Sequence, residues 1–226
     1  HIRGQTGVPR TALSSTEPGS DNADVSVRRE TWDIWNAHEW REQIDTLLDN
    51  DGEVSGDELV LHVREQVARE HGIHVDPDTW RDAVGWWCQQ NEVHEDTVQH
   101  LMTIVGRILR YEQRFRADGV LGEDSYVRSM LAWHYGRAVT MARWGLSARY
   151  CDRPTAERMI LRAGELCREN YASWVEFSAG YILGRVLHFD SEEFGEWYDS
   201  IVTVHRILAD DPASPWQTLS FDIEPV

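Results

Sequence analysis

An all-α fold is predicted for residues 32–226: a single compact domain of about eight helices behind a flexible N-terminal arm at 1–31. Three observations predict it. Helix-start signals recur along the chain, apolar residues return at helical spacing, and strand signals hardly appear. A chain of 226 residues, 41% of them hydrophobic, is long enough to bury a core of that size.

Each element has its own signal. Residues 1–31 are rich in Gly, Pro, Ser, Thr and Asp and show no periodicity, which predicts the arm. Asn36, three residues before Glu39, opens the first helix, and a polar stretch at 49–52 closes it. Ser55 with Glu58 opens the second, and Gly72 ends it. Asp76 and Pro77 start a third that stops near Gln90. The stretch from Glu92 to Glu95, ahead of Val98, starts a long helix over 94–118, which ends at Asp118 and Gly119. Gly122 precedes a helix over 123–145, with Gly145 as its stop. On that helix Tyr126, Met130, Trp133, Arg137, Met141 and Trp144 fall on one face. Asp152 with Pro154 starts the next, which ends at Asn170. Ser173 with Glu176 opens a helix over 173–188, and Asp190 with Glu193 opens the last.

Charge and composition exclude several functions. The chain holds 39 acidic and 22 basic residues, a net charge of -17. That disfavours nucleic acid and anionic membranes, both of which ask for a basic footprint. All the basic residues are Arg. Without Lys there is no Schiff base, no pyridoxal-phosphate anchor and no phosphate-loop lysine. No Gly-rich phosphate loop and no other cofactor motif is present, so no cofactor is expected. Cys88, Cys151 and Cys167 are odd in number and far apart, which predicts free thiols in a reducing cytoplasm. No apolar run reaches the length of a membrane span.

Metal and nucleophile motifs fall short. Leu47 to Glu58 has the spacing of a calcium loop, but Leu47 stands where the first ligand should be Asp. His71 and His74 lack further zinc ligands nearby in sequence, so no metal is expected. No nucleophile elbow occurs, and Cys88 follows Trp86 and Trp87 in a helix that predicts core packing. The 11 Trp residues read mainly as core, with some available for an exposed interface patch.

The basic charge is concentrated. Residues 101–168 carry 12 Arg against 7 acids, whereas 169–226 carry 2 Arg against 11. A basic middle in an acidic chain predicts ion pairing between helices, or an anion pocket.

Three segments read LAWHYGRAVTMARWG at 131–145, ENYASWVEFSAGYILGR at 169–185 and ILADDPASPWQTLSF at 207–221. Within them, Trp133 to Arg137, Arg143 to Gly145, Ser173 to Phe177, Tyr181 to Arg185 and Ser214 to Trp216 resemble, in this order, the motifs of the bacterial DUF1266 family. The resemblance implies a helical fold and a bacterial cytoplasmic protein, and supplies no reaction. The family pattern has Asp after the first aromatic residue, where this chain has His134. A carboxylate there can pair with Arg137 one turn on, as a histidine cannot in the same way.

Two sets of candidate site residues follow. His134 and Glu176 are the candidates for acid–base work, Glu176 doubling as a helix cap and as counter-ion to an arginine. Arg137, Arg143, Arg185, Trp133, Trp144, Trp174 and Tyr181 are the binding candidates. Three functions remain open: a non-catalytic protein-binding module for a basic partner, of the immunity or regulatory type; an enzyme or small-anion binder with an Arg-lined cleft; and a structural accessory subunit. The oligomeric state stays open with them.

Overall fold

The computed structural model describes residues 32–49, 55–72 and 75–223. The arm at 1–31, the middle of the calcium-like loop and His74 lie outside the described residues. Among the described residues there are eight helices of thirteen or more residues, one closing turn and no strand. They are α1 (Ala37–Asp49), α2 (Gly56–His71), α3 (Pro77–Gln90), α4 (Glu95–Ala117), α5 (Leu131–Ser147), α6 (Arg153–Asn170), α7 (Trp174–Phe189), α8 (Glu196–Asp210) and the turn α9 (Pro215–Thr218). Among these residues no helix is long and apolar enough to cross a membrane.

The chain divides into two compact units. Of the described residues, one comprises 32–49 and His134–Leu166, the other 55–72, 75–133 and 167–223. In the second, α2, α3 and α4 pack on one another, α4 meets α7, and α7 carries α8. Its core is aliphatic around Leu61, Val105, Ile108 and Leu183, with Trp80, Tyr111, Phe115 and Tyr198 among them. Cys88 is part of it, as its helix position predicts, and burial pushes its thiol pKa up. Trp40, Ile44, Met141 and Trp144 are buried in the first unit.

Most helix starts are where the caps predict. Asp76 accepts from the N–H groups of Asp78 and Thr79, and Asp152 from that of Thr155. Ser55 and Ser173 accept from Glu58 and Glu176. The reciprocal half of each box is used differently. Glu58 turns away to accept from the Met130 N–H at 2.9 Å, and burial raises its pKa. Glu176 and Glu39 reach one residue beyond the cap, to the N–H groups of Ala172 and Trp35.

Three predicted boundaries are corrected. The helix expected from 123 begins at Leu131, so Tyr126 and Met130 precede it. The backbone before it is claimed by distant side chains. Glu112 accepts from the Val127 N–H at 2.8 Å, and Arg64 donates to the Val127 carbonyl at 2.8 Å. Arg64 and Glu112 form a bidentate pair at 3.1 and 2.7 Å, 2% and 1% exposed, with the guanidinium between the rings of Trp80 and Tyr126. Burying two charges is tolerable when they are paired in this way, and here the Nη1 and Nη2 groups of Arg64 are met while its buried Nε has no hydrogen-bond partner among the described residues. Gly145 is no stop but lies inside α5. A Cβ there would come within 2.3 Å of the Trp40 ring, whose Nε1 donates to the Met141 carbonyl at 2.9 Å. Asp190 does not open the last helix. It ends α7, and α8 starts at Glu196.

Candidate functional site

The densest grouping of predicted site residues is built on α7 in the second unit. Gly184 makes it possible, because a Cβ there would stand 2.5 Å from Trp133 Cβ. Trp133 therefore lies tight on α7, edge-on to Tyr181 with ring centres 5.2 Å apart. One residue past Gly184, the Arg185 guanidinium is 5.9 Å from the Trp133 ring centre, 5.5 Å from Phe189 and 5.4 Å from Trp197. Phe189 and Trp197 stack at 5.0 Å. Among the described residues no carboxylate pairs with Arg185, and its buried Nε has no hydrogen-bond partner. Each aromatic face contributes about 0.5–2 kcal/mol to a cation, but none accepts a hydrogen bond as a carboxylate would.

The loop at 190–195 holds Phe189 and Trp197 at its two ends. The buried Asp190 carboxylate accepts from Tyr111 Oη at 2.9 Å and from the N–H groups of Phe194 and Gly195 at 3.0 and 3.2 Å. The Glu192 N–H donates back to Tyr111 Oη, and its carboxylate pairs with Arg107 and Arg110. Burial and the bond to Asp190 raise the Tyr111 pKa, so it stays a neutral donor. Ser191, Glu192 and Phe194 have φ of 51°, 65° and 53°, the left-handed region that costs a side chain about 1–2 kcal/mol. The clamp onto α4 offsets that strain, and such stored strain clusters at functional surfaces.

Beyond the loop, α8 turns Tyr198, Val202 and His205 to the core. On another side of the helix, Trp197, Val204 and Ile207 follow at intervals of seven and three residues and are 49%, 47% and 59% exposed. Glu193, Glu196, Asp199, Asp210 and Asp211 are exposed in and around the same helix.

The remaining predicted residues are placed elsewhere. Trp174 stacks on Trp216 at 5.9 Å, meets Phe221 edge-on and donates Nε1 to the Leu219 carbonyl. It anchors the C-terminal tail. Glu176 caps α7, and among the described residues no arginine pairs with it, so the expected counter-ion role is not realised. In the first unit, Arg137 Nη2 is 3.4 Å from His134 Nδ1, and its guanidinium lies 5.8 Å from the Trp32 ring centre. Burial and Arg137 lower the His134 pKa to about 4, which leaves a neutral imidazole as acceptor. His134 thus does face Arg137, without the charge that an aspartate would bring. Arg143 is exposed on α5, and Trp144 is buried with its ring edge-on to Tyr150.

One pair has no sequence signal. Ser178 Oγ and His205 Nδ1 are 2.8 Å apart, both buried, on α7 and α8. Burial lowers the His205 pKa, and no carboxylate among the described residues hydrogen-bonds it. Without a carboxylate to orient the histidine, and without exposure, the pair satisfies two buried polar groups rather than activating a nucleophile. Nor do the thiols offer one, since burial pushes Cys167 up to about 12. Among the described residues no three His, Cys, Asp or Glu side chains cluster as metal ligands. Among the described residues, this surface presents aromatic rings, the Arg185 cation without a carboxylate partner, and a fringe of acids.

Nothing among the curated proteins or among the solved structures matches the chain. The family model described as a protein of unknown function, DUF1266, matches residues 29–221 and so extends through the N-terminal half as well as the motif-bearing segments. The chain belongs to the DUF1266 family.

Proposed function

We propose that this chain is a bacterial cytoplasmic, non-catalytic protein-binding module that engages a basic partner through α8 and the adjoining Phe189. The exposed apolar stripe of Trp197, Val204 and Ile207 carries the reading. Exposed aromatic and aliphatic groups with a polar rim are the anatomy of a docking face. Its rim carries acids, in a segment with 11 acids against 2 Arg, so a basic surface complements it and is steered towards it. Arg185 adds a point of specificity, the place for one carboxylate of the partner. The three free cysteines suit a reducing compartment.

The test is retention from host extract at low salt on immobilised wild type and on the Val204→Asp, Ile207→Asp double variant. The variant is more acidic, so it keeps general attraction for basic proteins and loses only the apolar face. A basic protein held by the wild type alone and eluted by moderate salt is the expected result. Equal retention on both, or retention indifferent to salt, would sink the proposal.

A further inference from the structure

We infer that the first unit carries a binding cleft for the phosphate group of a small phosphomonoester, with Arg158 and Arg162 as its clamp. The cleft has a volume of about 340 Å³ between α1 and α6. Arg41, Asp45 and Leu48 face it from α1, at intervals of four and three residues. Thr155, Arg158, Met159 and Arg162 face it from α6, again one turn apart. Buried Leu48 and Met159 form an apolar floor, and the arginines are exposed walls. That volume lies in the range of small-molecule sites. Neither Arg137 nor Arg143 lines it, so the arginines of this cleft are not those the motifs of α5 suggest.

The charges in the cleft are unbalanced. Three guanidinium groups line it with one carboxylate. Arg41 holds that carboxylate, Asp45, at 2.9 Å in an exposed pair of the kind that opens readily. Arg162 pairs with Glu165 at 3.3 Å, off the cleft. Among the described residues, Arg158 has only a neutral acceptor, Thr155 Oγ1, at 2.8 Å. The nearby Asp152 feels the Arg158 charge, but its carboxylate is bound to the Thr155 N–H and hydroxyl. Four residues before Arg158 stands Pro154, and four after it Arg162, so the helix itself offers Arg158 no acid. Two like charges at i and i+4 destabilise a helix unless an anion lies between them. A phosphomonoester dianion does this best. It has three oxygens for two guanidinium forks, with Arg41 free to swing from Asp45 onto it. Asp45 is then available to accept from a hydroxyl of the same ligand.

The experiment is calorimetric titration of the full chain with ribose 5-phosphate, inorganic phosphate and unphosphorylated ribose, at ionic strength matched with chloride. Ribose 5-phosphate binds, ribose does not, and inorganic phosphate binds more weakly than the ester. Arg158→Ala and Arg162→Ala each weaken binding about tenfold, the usual loss for one charge-assisted contact. Arg158→Lys recovers part of it, because charge returns without the fork. Arg153→Ala removes the same charge from α6 outside the cleft, where Arg153 pairs with Glu157, and leaves binding unchanged. Circular dichroism confirms that each variant is folded. Absence of binding by both phosphates overturns the inference. So does a loss in Arg153→Ala equal to that in Arg158→Ala, which would mark general attraction to an arginine-rich helix.

Discussion

His134 and Arg137 show how one side chain can keep a contact and change its physics. An aspartate beside Arg137 would form an ion pair across one helical turn. The histidine offers a lone pair instead, at 3.4 Å, and only while neutral. Burial penalises the protonated ring, and the Arg137 charge adds to the penalty, which is why the pKa falls from 6.5 to about 4. The sign of the linkage follows. Above about pH 6.5 both folded and unfolded chains hold this imidazole neutral, and its contribution to stability is complete. As pH falls towards 4 the unfolded chain takes up a proton that the folded chain refuses, so stability drops. His134→Asn retains an acceptor and does not titrate. Urea melts of wild type and variant between pH 7 and 4 are expected to diverge, with the variant losing less. Parallel curves would show that neither burial nor Arg137 depresses the titration of this histidine. Buried His205 acts in the same direction in both proteins and cancels from the comparison.

At the scale of elements, legibility depends on how far away the decisive partner lies. Asp76, Asp152 and Ser173 are plain in the sequence because a cap and its N–H groups lie within three residues. The extended run before α5 is illegible because its hydrogen bonds come from Glu112, Arg64 and Glu58, which are 15, 63 and 72 residues away. Gly145 reads as a stop because close approach to Trp40, like a turn, demands glycine. The candidate site divides in the same way. Tyr181 and Arg185 share a face of α7 by simple spacing, whereas Trp197 reaches Arg185 only through the loop at 190–195. That loop gives a further prediction. Ser191 is exposed with φ of 51°, so Ser191→Gly relieves strain and should stabilise the protein by about 1 kcal/mol, read from the urea midpoint. Asp190→Ala should destabilise it by about 1–3 kcal/mol, because Tyr111 Oη and the Phe194 and Gly195 N–H groups lose their shared acceptor. If Ser191→Gly instead lowers the midpoint, the left-handed turn carries no strain and its clamp has nothing to offset.

For the whole chain, 39 acids against 22 arginines set two electrostatic effects in opposition. Many arginines are spent on ion pairs, some between helices or onto loops, as in Arg206 on Asp118 and Arg107 and Arg110 on Glu192, and some at i,i+4, as in Arg114 on Asp118 and Arg153 on Glu157. Exposed pairs of this kind contribute about 0–1 kcal/mol each, and salt screens them. The surplus of acids repels itself over longer distances, and salt screens that too, with a Debye length of about 10 Å at 0.1 M. The buried Arg64–Glu112 pair, out of reach of mobile ions, is indifferent to both. Screening should therefore remove more repulsion than attraction, because a net charge of -17 sums over many distant pairs while each ion pair counts once. The urea midpoint is expected to rise as sodium chloride is raised from low to moderate concentration. The same salt weakens capture of a basic partner, since that attraction arises from the same surplus. A midpoint that falls with salt would mean that the surface ion pairs outweigh the repulsion. The acidic fringe of α8 would then be a structural lattice of pairs rather than a field open to a partner.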